Sequence, residues 1–197
     1  SELRRAIGQV VCAVAPNESR PEISGVLFKF LPKSQGGNLI LAATDSYRLA
    51  EGGVTLDAPA TIDRKIIIPL RTLQELLRIA SGLEDDLEAK IFLSEGQVRF
   101  DFGEEVSLTS RLIEGSFPAY EQIIPTKYKT RAVIDREELL RATKRAALFC
   151  APGMSDVTVQ LTPGKSETEG VVAVKSQNVQ VGEAHAQLQA AVAGEEN

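Results

Sequence analysis

Glu137-Glu138-Leu139-Leu140-Arg141-Ala142 restates the start of the chain, Ser1-Glu2-Leu3-Arg4-Arg5-Ala6, with Gln74-Glu75-Leu76-Leu77-Arg78-Ile79 as a third version between them. Aligning Glu2, Glu75 and Glu138 gives spacings of 73 and 63 residues. The outer copies agree further: at a constant offset of 136, Glu2, Leu3, Arg5, Ala6, Ala15 and Pro16 meet identical residues at Glu138, Leu139, Arg141, Ala142, Ala151 and Pro152. This period is longer than the roughly 20–50 residues of solenoid repeats. The repeating piece is better read as a helix followed by a group of strands, with two such pieces per domain.

The flanking patterns support that reading. Leu3, Ile7, Val10, Val11 and Val14 form one helical stripe, closed by Pro16. Pro69 suits the entry to a second helix, with Leu73, Leu76, Leu77 and Ala80 as its stripe and Gly82 as its end. Asp135 is a natural N-cap with Glu138 as capping-box partner, opening a third helix that runs to about Cys150 and stops at Pro152-Gly153. Strand-like runs at 23–30, 39–44, 48–55 and 62–68 follow the first helix, and 87–93, 97–102 and 106–112 follow the second. A run at 131–134 precedes the third helix, and 157–161, 171–175 and 179–192 follow it. Gly36-Gly37-Asn38 and Ser94-Glu95-Gly96 read as turns. Gly115-Ser116-Phe117-Pro118 and Pro125-Thr126-Lys127-Tyr128-Lys129-Thr130 bracket a connector. The predicted class is α+β: helix-plus-antiparallel-sheet half-domains, one two-helix domain over 1–125 and half of another over 126–197.

Composition excludes much else. The 197 residues are 43% hydrophobic and 25% charged, with Lys+Arg 22 against Asp+Glu 27 and a net charge of -5. That is an ordinary globular balance, unlike a disordered tail or a disulfide-stapled miniprotein. No apolar run approaches the roughly 18 residues of a membrane helix, and no secretory leader opens the chain, so an intracellular, cytoplasmic protein is expected. The Asn17-Glu18-Ser19 sequon then carries little weight. Cys12 and Cys150 lack Cys-x-x-Cys spacing and read as buried free thiols. His185 is the single histidine, set in an alternating run with no nucleophile elbow to serve, and reads as a surface strand residue. Pro163-Gly164-Lys165-Ser166 mimics the end of a phosphate loop, but Val159 stands where its other glycine belongs, so a surface turn is expected. Gly52-Gly53 lacks a dinucleotide fingerprint. Glu84-Asp85-Asp86 diverge as neighbours at a turn, so no metal site, cofactor or catalytic residue is expected.

Removing each apolar stripe leaves a basic face: Arg4, Arg5 and Gln9; Arg71, Gln74 and Arg78; Arg141, Lys144 and Arg145. Segments 3–15, 70–80 and 136–149 hold eight bases and three acids, +5, leaving -10 for the rest of the chain. Two readings stand on charge alone: a basic wall facing a polyanion, or good helix formers on solvated faces. No aromatic residues interleave these bases, which argues against stacking on single strands and points to duplex phosphates.

Ala42-Ala43-Thr44-Asp45-Ser46-Tyr47-Arg48-Leu49-Ala50 and Ser110-Arg111-Leu112-Ile113-Glu114-Gly115-Ser116-Phe117-Pro118-Ala119-Tyr120 resemble signature segments of the bacterial sliding clamp family, the DNA polymerase III beta subunits. Ser19-Arg20-Pro21-Glu22-Ile23-Ser24-Gly25-Val26-Leu27 fits the same family. The resemblance covers the whole chain, matching the family's middle domain without its first strand plus about half of the third domain. It implies the DNA-clamp fold, in which six similar domains of a homodimer ring surround duplex DNA with helices lining the hole. It implies a non-catalytic processivity factor whose partners are duplex DNA, the polymerase III catalytic subunit, the clamp loader, and other polymerases and repair proteins carrying a docking motif. On that pattern Arg4, Arg5, Arg71, Arg78, Arg141, Lys144 and Arg145 line the channel. The family's peptide pocket, at its second-to-third domain junction, maps onto Thr44, Ser46, Tyr47, Arg48 and Leu49 on one wall. Pro118, Gln122 and Ile123 fall on the connector, and Ile23 on a nearby strand. Gln122 stands where relatives often carry a base. The alternative is a module that grips duplex DNA by its basic helices without encircling it.

Overall fold

The computed structural model describes residues 2–16, 20–58, 60, 63–83, 88–150, 156–166, 169–178 and 181–196. The chain divides into two compact units, residues 1–120 and 121–197.

In the first unit, helix α1 (Glu2–Val10) buries Ala6, Ile7 and Val10, the stripe its 3.6-residue period demands. It does not continue to Pro16: Val11–Ala13 tightens into a 3-10 turn and Val14 is extended. Strands β1 (Gly25–Phe30), β2 (Asn38–Thr44), β3 (Leu49–Thr55) and β4 (Arg64–Pro69) form an antiparallel sheet in the order β3-β2-β1-β4. β1 begins two residues later than the alternation suggests, because Pro21 opens a 3-10 turn over Pro21–Ile23. One sheet face supplies Val26, Phe28, Leu39, Leu41, Ala43, Ile66 and Ile68 to the main core. The other face buries Leu27 and Ala42 beneath Phe117 and Tyr120.

Helix α2 (Leu70–Ser81) springs directly from β4, and Pro69 stands at its entry as the N-cap, with extended ψ 142. Leu73 and Leu76 face the core. Each such side chain contributes roughly 1.5–3 kcal/mol on leaving water. Gly82 does follow the helix, but in right-handed geometry, φ -96, so the stop draws on no special freedom of glycine. Strands β5 (Ala89–Leu93), β6 (Gln97–Phe102) and β7 (Val106–Arg111) make a second antiparallel sheet, with Val98, Phe100 and Phe102 alternating into the core.

The second unit holds β8 (Thr130–Val133), α3 (Arg136–Ala147), β9 (Thr158–Pro163), β10 (Gly170–Asn178), β11 (Gly182–Gln189) and β12 (Ala191–Gly194). Asp135 caps α3 as its sequence indicates: Oδ1 accepts the Glu138 N–H at 2.8 Å. The helix ends at Ala147, three residues short of Cys150, because the next amides bond three residues back instead of four. Ala142 and Ala146 pack with Val172, Val174, Leu188 and Val192. The single run expected over 179–192 is two strands. β11 pairs with β10, and after Ala190 the chain crosses to pair β12 with β8, a change of partner that periodicity does not encode.

The repeat is physical. At the 136-residue offset Ala6 and Val10 are buried as Ala142 and Ala146 are, and Arg5 is exposed as Arg141 is. His185 is an exposed strand residue opposite Lys175. Gly164-Lys165-Ser166 is a turn between β9 and β10, closed by Gly164 N–H to the Glu169 carbonyl at 2.9 Å. Both cysteines are free, but neither is buried as expected: Cys12 is exposed on the 3-10 turn beyond α1, and Cys150 is half-buried. The Asn17-Glu18-Ser19 sequon, Glu84-Asp85-Asp86, Pro152-Gly153 and the expected strand starts at 62, 87 and 179 lie outside the described residues. Among the described residues no helix is long and apolar enough to cross a membrane. Nor, among them, do three His, Cys, Asp or Glu side chains gather where they could hold a metal ion.

Candidate DNA and peptide interfaces

Within the first unit, α1 and α2 pack together and both face the main core. Arg5, Arg71 and Arg78 are exposed on them. Arg4 is half-buried and donates to the Ala80 carbonyl at the end of α2 at 3.4 Å, so part of its charge satisfies a helix terminus. Arg78 grips Glu75 through two hydrogen bonds, Nε at 2.9 Å and Nη2 at 2.5 Å. That bond holds the Glu75 carboxyl below, and the Arg78 guanidinium above, its ordinary pKa. Within the second unit, Arg141, Lys144 and Arg145 are all exposed on α3. Arg5, Arg78 and Arg141 occupy the same repeat position on the three helices, and all are exposed.

The Thr44–Leu49 stretch is a tightly bonded turn between β2 and β3. Asp45 Oδ1 accepts N–H bonds from Tyr47 and Arg48, each at 3.0 Å, and Oδ2 accepts from the Arg48 guanidinium at 3.0 Å. The Arg48 and Tyr47 amides, then the Arg48 side chain, hold the Asp45 carboxyl below its usual range, outweighing the opposite pull of desolvation. Thr44 donates to the Arg48 carbonyl at 2.8 Å and accepts the Ser46 N–H at 3.1 Å. Its hydroxyl therefore braces the turn. Ser46, at φ 78, is the one non-glycine in the left-handed region among the described residues. Arg20 donates to its hydroxyl at 3.1 Å and pairs with Glu22. The Glu22 carboxyl is lowered, first by its own backbone N–H and then by Arg20. The turn leaves Tyr47 96% exposed.

The remaining sequence-predicted residues divide. Leu49 is half-buried in the cluster of Leu27, Ala42, Phe117 and Tyr120. Pro118 is half-buried in the stretch that supplies Phe117 and Tyr120. Ile23 departs from expectation: it lies on the 3-10 turn, not on a strand, and at 3% exposure it offers little surface to a ligand. Gln122 and Ile123 are exposed on the turn Tyr120–Ile123, Ile123 at 71%. Sequence reading included Asp45, Arg20 and Tyr120 in the family-like segments without singling them out, and gave Glu51 no part. Asp45 had a signal, an Asx acceptor just before the two amides it binds.

These features define a duplicated α+β protein of helices backed by antiparallel sheets. The chain belongs to the DNA polymerase III beta subunit family: the profile of that family's central domain matches residues 1–119. It is 34% identical over 180 residues to the beta sliding clamp of Staphylococcus aureus, covering 91% of this chain and 44% of that protein. A Pseudomonas aeruginosa DNA polymerase sliding clamp superposes with a TM-score of 0.88 at 29% identity, over 100% of this chain and 50% of that one. A second P. aeruginosa clamp structure, bound to griselimycin, gives 0.86 at 28% identity over the same shares. The chain thus spans about half the length of these relatives.

Proposed function

We propose that this chain is the working middle of a DNA polymerase processivity factor, residues 1–125 acting as the clamp's middle domain and 126–197 as the first half of its third. The complete protein is then a cytoplasmic, non-catalytic homodimer ring. It encircles duplex DNA and tethers the replicative polymerase, the clamp loader and other motif-bearing proteins. The observation that carries this reading is the exposed arginine repeated at one position on each helix, Arg5, Arg78 and Arg141, in a chain whose remaining residues are acidic overall. Diffuse positive charge suits sliding: it attracts phosphates without reading bases, while topology supplies retention.

The peptide-docking surface of the first unit draws on Tyr47, Arg48, Leu49 and Pro118; Gln122 and Ile123 enter only through the family resemblance. Thr44 and Ser46 shape it, and Ile23 supports it. Leu49 and Pro118 offer apolar contact to Leu or Phe anchors, and Arg48 and Tyr47 offer polar tips at the rim. Griselimycin, which the Pseudomonas clamp binds, is a ready ligand to try on this chain.

The test loads the complete protein onto nicked circular DNA and then linearises it. Loss of protein from the free ends is the expected outcome. Retention on linear DNA refutes encirclement and favours a surface-gripping module. The isolated chain should bind duplex only weakly, on the order of 10⁻⁴–10⁻⁶ M at physiological salt. Nanomolar, salt-resistant binding by the chain alone contradicts the proposal.

A further inference from the structure

Tyr120 is 3% exposed, whereas every residue from Glu121 to Lys129 is exposed. Its ring packs over Leu27 and Ala42, on the sheet face turned away from the main core. It meets Phe117 edge-on, with centroids 6.2 Å apart and planes at 86°. Its hydroxyl donates to Glu51 Oε2 at 2.5 Å. Glu51 lies on β3 opposite Ala42, and Leu49, two residues earlier on the same strand face, packs in the same cluster. The Tyr120 N–H donates to the Pro118 carbonyl at 2.8 Å. One residue is therefore bonded to Pro118 through its backbone, placed in one apolar cluster with Leu49 through its ring, and fastened to the sheet through its hydroxyl.

We propose that Tyr120, oriented by Glu51, is a positioning residue for peptide docking: it fixes where Pro118 stands relative to Leu49. This rests on the peptide-docking reading above, but neither Tyr120 nor Glu51 belongs to that reading's contact set. Apolar burial alone keeps the ring under cover without setting how deep it sits. A hydrogen bond to a carboxylate is short and directional and sets both depth and tilt. The backbone bond then carries that setting to Pro118, two residues away.

The experiment measures anisotropy of a fluorescein-labelled hexapeptide with adjacent Leu and Phe, alongside thermal melts of each variant. Tyr120→Phe and Glu51→Gln keep shape and remove the charged hydrogen bond. Each is expected to weaken binding roughly fivefold, the scale of one such bond. The double variant should be no weaker than either single one, because both delete the same interaction. Val54→Ala is the stability control: Val54 is buried in the main core, so its loss lowers the melting temperature and leaves peptide affinity unchanged. Unchanged affinity in Tyr120→Phe, with Leu49→Ala still weakening binding, overturns the positioning role and spares the docking surface. Additive losses in the double variant also overturn it. If the wild-type chain binds no peptide, or Leu49→Ala binds like wild type, the docking reading falls and this inference with it.

Discussion

Replacing Arg5 and Arg71 together by alanine separates a DNA-facing helix layer from merely solvated helices. Both are exposed, on α1 and α2. Neither has an acidic partner among the described residues, whereas Arg78 shares its charge with Glu75. Each side chain that neutralises a phosphate adds about 0.9 to the slope of log K against log salt. Losing both should cut that slope by nearly two and, near 0.1 M salt, weaken duplex binding by roughly 60-fold. The control removes as many cations from the sheet side, Lys90 and Arg111, which are exposed on β5 and β7. Fluorescence anisotropy of a labelled duplex, titrated from low to physiological salt, reads both slopes, and circular dichroism checks that each variant folds. An unchanged slope in the Arg5/Arg71 variant, or an equal drop in the Lys90/Arg111 variant, refutes the assignment of the helix layer as the DNA side.

Asp45 makes the turn at 44–49 acid-sensitive. Its carboxyl has a lower pKa folded than unfolded, so it contributes stability above the ordinary Asp value of about 3.9 and loses that contribution as pH falls through the folded value. Asp45→Asn should flatten the fall of melting temperature with pH in that acid range, and an unaltered profile counts against the described bonding. Leu76→Ala should lower unfolding free energy in urea by about 2–5 kcal/mol, since Leu76 is fully buried in the main core. Leu148→Ala, at an exposed position, should change it by less than about 0.5 kcal/mol. At Gly170 an added Cβ would stand 2.7 Å from Val192 side-chain carbons and 2.8 Å from the Thr162 carbonyl, so Gly170→Ala should destabilise the second unit by roughly 1–3 kcal/mol, read by hydrogen exchange at β10 and β12.

Much of this architecture is written locally, and those parts were legible. The α2 stripe and the Asp135 cap depend only on residues a few positions apart, so period and cap chemistry suffice to find them. The exposed bases of α1, α2 and α3 follow by subtraction once the buried stripe is known. Arg4 is the exception, because its carbonyl partner lies 76 residues away. The 3-10 turns at Val11–Ala13 and Pro21–Ile23 escaped notice because they differ from helix or strand by one hydrogen-bond step, a smaller signal than hydrophobic periodicity. The split of 179–192 into two strands depends on which neighbour each segment pairs with, and alternation is blind to that. At the candidate peptide surface the family signature singled out Thr44 to Leu49, which the structure shows as one bonded turn. What it could not give was the local bonding: Thr44 bonds the Arg48 carbonyl, Ile23 is buried on a 3-10 turn, and Tyr120 is anchored by a residue 69 positions distant.

The backbone at Ser46 has a consequence for how this surface can change. At φ 78 the position filters substitutions by handedness before size or polarity matters. Glycine, asparagine and aspartate pass most cheaply, while valine or isoleucine would force the loop to re-form. Tyr47, next along and almost wholly in solvent, meets no such filter. A library randomised over these two positions should therefore return a narrow alphabet at 46 beside a wide one at 47, so that side-chain variation accumulates on a frame that itself stays fixed.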